Sequence, residues 1–158
     1  TALFVTINAQ ASVSQEKYKQ AFRAYKSKDY VKAFDLFSSF YLTRLSDKRV
    51  NYFLGRSAYK TKHYETALAA FERVSMLDPS NIRNQLEMAR TYFKLKMFED
   101  AESIFKNVLA IKNLPQNVRE NIEFYLSRVA VAEQKSFTNI GFSASWVYDS
   151  NVNYGSSE

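Results

Sequence analysis

Apolar and aromatic residues return at a fixed distance along this chain. Ala33, Ala67 and Ala101 are separated by 34 residues, and so are Phe37, Phe71 and Phe105. Tyr30, Tyr64 and Phe98 keep the same interval, as do Tyr25, Tyr59 and Phe93, and the small residues Ala21, Gly55 and Ala89 add a fifth series. The pattern predicts helices over 14–27, 30–45, 48–61, 64–77, 81–95 and 98–112. A seventh is expected over 116–135, where Val118, Ile122, Tyr125, Leu126 and Val129 fall at helical spacing. In the first helix of each interval the small residue lets a neighbouring helix approach closely. In the second, an alanine does the same, and the Phe four residues on fills the space beside it. Asp78-Pro79 ends the second interval, because proline cannot continue a helix and disfavours helical geometry before it; Pro115 ends the third. With 3 Gly and 2 Pro in 158 residues, breakers are too few for a turn-rich β domain.

This period and helix–turn–helix content resemble the tetratricopeptide repeat. The resemblance covers about 14–112 and implies an all-α, right-handed superhelical solenoid: three repeats, with the seventh helix capping the exposed edge of the third. The domain is thus expected over 14–135. The resemblance also implies a concave groove lined by the first helix of each repeat. Positions 2, 5, 9, 12 and 13 of that helix share one face. They hold Gln15, Tyr18, Phe22, Tyr25 and Lys26, then Arg49, Tyr52, Arg56, Tyr59 and Lys60, then Arg83, Leu86, Arg90, Phe93 and Lys94. Seven of these are cations and none is an acid, against a whole-chain net charge of +6. The candidate groove residues are Tyr18, Phe22, Lys26, Arg49, Tyr52, Arg56, Lys60, Arg83, Arg90 and Lys94. Arginines pair carboxylates bidentately and tyrosines give rigid contact area, so the expected partner is a protein or peptide bearing acidic residues. The competing reading is a solvated basic face, with Tyr25, Tyr59 and Phe93 buried between helices. Tyr18 and Phe22 stand where the tetratricopeptide carboxylate clamp has Lys and Asn, so chaperone-tail binding is not expected.

Composition narrows the chemistry. There is no cysteine, which removes disulfides, thiolate metal sites and cysteine nucleophiles, and the one histidine, His63, falls in a predicted turn. Neither a Gly-rich phosphate loop nor a Gly-x-Ser-x-Gly elbow occurs. Glu65, Glu99 and Asp100 sit at helix starts, where carboxylates favour the positive end of the dipole. No enzyme activity, cofactor or metal is expected. Lys and Arg are spread along every predicted helix, so the pI of about 9.4 is a weak argument for nucleic acid, and none is expected.

The two ends differ from the middle. Ala2–Ile7 is apolar and leads to Ala9-Gln10-Ala11, which reads as the end of a secretory signal peptide over 1–11, without its basic start; the competing reading is a buried strand or the start of a helix. From Ser136 the residues alternate: Ile140, Phe142, Ala144, Trp146 and Tyr148 share one face of a strand. About ten alternating residues with Trp and Tyr near one end suit one strand of an outer-membrane barrel. Leu114-Pro115-Gln116-Asn117-Val118-Arg119, with Ile122, Tyr125 and Leu126, and then Trp146-Val147-Tyr148-Asp149-Ser150-Asn151-Val152-Asn153 after Gly141 resemble the linker helix and barrel start of surface lipoprotein assembly modifiers. That resemblance implies a periplasmic repeat domain preceding an outer-membrane β-barrel and a role in moving substrates to the cell surface; 136–158 is then the start of the barrel, the other reading being an amphipathic, disordered tail. The alternative is a free-standing periplasmic scaffold in an envelope assembly.

Overall fold

The computed structural model describes residues 15–150, and the side chains of 15–132 and 134 within that span. Residues 1–14 and 151–158 lie outside the described residues, and with them the reading of 1–11 as a leader remnant. Helix α1 spans 15–26, α2 Tyr30–Phe40, α3 Lys48–Lys60, α4 Tyr64–Leu77, α5 Ile82–Lys94, α6 Phe98–Leu109 and α7 Gln116–Ser150. A short 3-10 helix, Tyr41–Arg44, follows α2. Among the described residues no helix is long and apolar enough to cross a membrane. The described residues fall into two compact units divided after Ile104.

In the first unit the helices pack in chain order, α2 on α3, α3 on α4 and α4 on α5. The starts of the helices follow from polar caps. Asp29 accepts from the Lys32 amide, Asp47 from the amides of Arg49 and Val50, and Asn81 from that of Asn84. Each bond satisfies a backbone donor that the first turn would otherwise leave bare. The turns inside the repeats share one geometry. Lys28, Lys62 and Lys96, again 34 residues apart, adopt left-handed backbone at φ 63°, 66° and 62°. At each turn the following residue, Asp29, His63 or Met97, donates its N–H to the carbonyl five residues back, at 3.0, 2.9 and 3.0 Å. This closes the helix end with the bonding that a glycine usually permits. The turn is then covered by a ring pair: Tyr25 on Tyr30 at 5.4 Å, Tyr59 on Tyr64 at 5.5 Å and Phe93 on Phe98 at 5.7 Å.

The small residues do what their spacing predicts. Ala21, Ala33, Ala67, Ala89 and Ala101 are all fully buried. Phe37 and Phe71 are buried beside them, within clusters built on Ala33, Val50 and Leu54 and on Ala58 and Ala67. Asn84 of α5 donates to the Phe71 carbonyl of α4 at 2.9 Å and to the Ser75 hydroxyl at 2.8 Å, tying successive repeats together. In the second unit Phe105, Val108, Ile122 and Val129 are fully buried, and the Phe105 and Tyr125 rings stack at 5.2 Å, so α7 packs on the last turns of α6.

Two helix ends depart from the pattern. The helix expected over 30–45 leaves α geometry at Phe40, whose φ of −134° and ψ of 3° turn the chain into the 3-10 segment. Asp47 then claims the start of α3, and Asn51 reaches back to the Leu45 carbonyl at 2.9 Å, which fixes the connection. The helix expected over 116–135 runs on in its backbone to Ser150, across the stretch whose alternation predicts a strand. The side chains of 135–150 are outside the described residues, as is the remainder of the tail to 158.

Candidate functional site

The first helices of the repeats lie side by side in the first unit. Phe22 and Tyr25 of α1 pack edge-on against Phe53 of α3, at 5.0 and 4.8 Å between ring centres. Arg49 of α3 places its guanidinium 5.0 Å from the Phe22 ring centre, and Arg44 places its own 4.9 Å from Tyr18. Tyr18 and Phe22 are therefore half-buried platforms under cations, packed against the core at their other edge.

Between α3 and α5 the face carries an ion cluster. The Glu87 carboxylate lies 3.0 Å from Arg56 and 3.6 Å from Arg90, and Arg56 also donates to the Tyr52 hydroxyl at 3.2 Å. Glu87 is buried, with 6% of its surface exposed, and both arginines are half-buried. The expectation that this face holds no acid is thus corrected. Glu87 occupies position 6 of the third repeat, one step off the positions counted, and a side chain there reaches into the row of cations. Its spacing of three residues from Arg90 is the sequence signal that points to it. The cluster shows in the ionisation of its members. Burial alone would pull the Arg56 guanidinium down, but the Glu87 carboxylate and the Tyr52 hydroxyl outweigh it, and the pKa lies above its ordinary value. Burial pushes the phenols of Tyr25 and Tyr52 up.

One end of the face opens into a pocket of ≈ 440 Å³, lined by Lys48, Arg49, Tyr52 and Phe53 of α3, by Val74 and Asp78 at the end of α4, and by Asn81 and Arg83 at the start of α5. That is the size of a small-ligand or side-chain pocket. Asp78 is engaged by the Lys48 ammonium at 3.1 Å and by the Ser80 hydroxyl at 3.3 Å, and the Lys48 bond holds its carboxyl below the usual range. No acid pairs with Arg49 or Arg83 among the described residues.

The ten candidate residues therefore separate into groups. Arg49, Tyr52 and Arg83 share the pocket; Arg56 and Arg90 share Glu87; Tyr18 and Phe22 form the floor under arginines. Lys26 and Lys94 are exposed in the last turns of α1 and α5. Lys60 lies elsewhere: its ammonium is 5.9 Å from the Tyr30 ring centre, and it borders a second pocket of ≈ 580 Å³ at the turns with Tyr30, Phe34 and His63. His63 is an exposed turn residue, stacked on Phe34 at 4.5 Å and hydrogen-bonded to Thr61 at 2.9 Å.

Residues 58–116 match the tetratricopeptide repeat family model. No curated protein matches the chain. Among solved structures it is similar to SycD, the type III secretion translocator chaperone of Yersinia enterocolitica, with a TM-score of 0.64 and 18% identity over 78% of this chain and 88% of that one. It is similar to PcrH in complex with the chaperone binding region of PopD, with a TM-score of 0.63 and 19% identity over 78% and 95% of the two chains. The first tetratricopeptide domain of Spaghetti (RPAP3), bound to an HSP90 peptide, gives a TM-score of 0.63 and 13% identity over 74% and 93%. The fold is that of an all-α tetratricopeptide solenoid, an architecture suited to protein–protein interaction.

Proposed function

We propose that this domain holds an extended segment of a partner protein across the face of α1, α3 and α5. The observation that carries the reading is the pocket in which Arg49 and Arg83 stand beside Tyr52 and Phe53. Aromatic area and guanidiniums without a carboxylate partner at one concavity are the composition of a protein-binding hot spot. Solved structures of the same fold support the mode, since PcrH is seen with a region of PopD and Spaghetti with the peptide SRMEEVD. Photo-crosslinking tests it. Benzoylphenylalanine at Tyr52 should capture one partner in the native cell, and Arg49→Ala with Arg83→Ala should abolish the capture. Equal capture from the exposed Glu65 position on α4 would refute the reading.

The cellular setting we propose is the bacterial periplasm, where the domain recruits a secreted or lipoprotein substrate for an outer-membrane β-barrel that follows it. The tail motif through Asn153 supports this. The alternative is a free-standing periplasmic scaffold without a barrel of its own. Antibody to residues 14–135 separates the two. A band in the outer membrane that shifts on boiling supports the barrel protein. A small soluble periplasmic band that boiling leaves in place supports the scaffold.

A further inference from the structure

Positive charge is abundant on the α1–α3–α5 face but is not equally available along it. At the centre, one carboxylate already serves two guanidiniums: Glu87 stands 3.0 Å from Arg56 and 3.6 Å from Arg90. The Glu87 side chain is only 8% exposed, so its charge is little screened by water. Arg56 and Arg49 are seven residues apart on α3, as are Arg90 and Arg83 on α5, which is two turns, or about 10 Å of helix. At that far end no resident acid pairs with the guanidiniums among the described residues, and the one carboxylate of the pocket, Asp78, is held by Lys48 at 3.1 Å.

A ligand carboxylate therefore meets opposite conditions at the two places. At the Arg49–Arg83 end it gains charge-assisted hydrogen bonds beside an aromatic wall. At the centre Glu87 already offsets one of the two guanidinium charges, so a ligand carboxylate gains less there and would lie beside a like charge across a poorly hydrated contact, which is disfavoured. We propose that Glu87 is a specificity-determining residue of this face. It admits a peptide whose acidic residue anchors between Arg49 and Arg83 and whose next contact, across Arg56, Glu87 and Arg90, is uncharged. A peptide acidic along its whole length is rejected by the acid already in place, a case of specificity achieved by repulsion. The proposal rests on the peptide-binding reading above.

The test is selection from a random twelve-residue peptide display library on the wild-type domain, on Glu87→Gln, and on the Arg49→Ala/Arg83→Ala double variant. Wild type should enrich peptides with one acid beside apolar residues, and the double variant should lose them. Glu87→Gln keeps the shape and removes the negative charge beside Arg56, so it should enrich peptides with a second acid. It should bind a two-acid form of a selected peptide about tenfold more tightly than wild type does. Should Glu87→Gln not fold, the wild-type domain decides the question with synthetic one-acid and two-acid forms of one selected peptide: the one-acid form must bind more tightly. If wild type instead prefers the two-acid form, or prefers acid-free peptides, the proposal is overturned while peptide binding stands. If wild type enriches no peptide, the peptide-binding reading itself fails.

Discussion

Gly55→Ala sets two effects of known size against each other. Alanine is favoured over glycine inside a helix by about 1 kcal/mol, so the change alone would stabilise α3. But a Cβ at residue 55 would lie 2.6, 2.8 and 2.9 Å from three ring carbons of Phe71, where ordinary carbon contacts are about 3.5–4.0 Å. The ring has little room to withdraw. Phe71 is fully buried among Ala58, Ala67, Tyr52, Tyr59 and Met88, and its carbonyl is held by Asn84 at 2.9 Å. Overpacking a closed core costs about 1–3 kcal/mol, and three simultaneous contacts place this site in the upper half of that range. The expected balance is a net loss of about 1–2 kcal/mol. For a protein of this size that lowers Tm by about 3–6 °C, measured by circular dichroism melting. The double variant Gly55→Ala/Phe71→Leu should recover part of the loss, because the two sites are in contact and couple. A Gly55→Ala protein that melts at or above wild type would refute the reasoning, for it would mean the ring yields freely and helix propensity alone decides.

Other consequences are open to measurement. Lys62→Gly relieves a left-handed backbone that costs an L-residue about 1–2 kcal/mol, and should raise stability by up to about 1 kcal/mol in urea titration once the entropy of glycine is set against it; an exposed α4 residue such as Glu65 changed to Gly should do the opposite. Tyr92 is pushed up to about 12, first by burial and then by its hydrogen bond to Glu72 at 3.1 Å. A phenol whose folded pKa is raised stabilises fully below its unfolded pKa of about 10, and that contribution is lost as pH rises towards 12. The difference in phenolate absorbance between wild type and Tyr92→Phe should show the late titration, and Glu72→Gln should bring it part of the way down. Asp78 has the reverse sign: its depressed pKa contributes above the unfolded carboxyl value and is lost as pH falls through the folded one. Lys48→Met should move its carbon resonance titration upward, and an unchanged midpoint would show that the Lys48 contact is not the cause.

Much of the fold was legible because repeats announce themselves. Five residue series at one period located the helices, and the buried alanines and Phe37, Phe71 and Phe105 occupy the places that period assigned them. The shared turn was harder to read. A left-handed closing residue normally advertises itself as glycine, and here lysine fills it three times, visible only through the interval between Lys28, Lys62 and Lys96. The break at Phe40 left no mark either, since Tyr41–Arg44 continues a plausible helical pattern and the turn is enforced by capping at Asp47. On the binding face, counting fixed helical positions found the cations but passed over Glu87. That acid belongs to the face because α3 and α5 lie close enough for Arg56 to reach it, a tertiary fact. Lys60 shows the converse, since its place in the count put it in the groove while its ammonium turns to Tyr30.

The central claim is that the α1–α3–α5 face takes a peptide. Amide and side-chain resonances of the isotope-labelled domain, followed during titration with a library-selected peptide, test it most directly. The changes should concentrate at Arg49, Tyr52, Arg56, Arg83 and Arg90 and leave the exposed residues Glu65 and Met76 of α4 unmoved. Changes centred on α4, or on the turn pocket around Phe34 and His63, would contradict it.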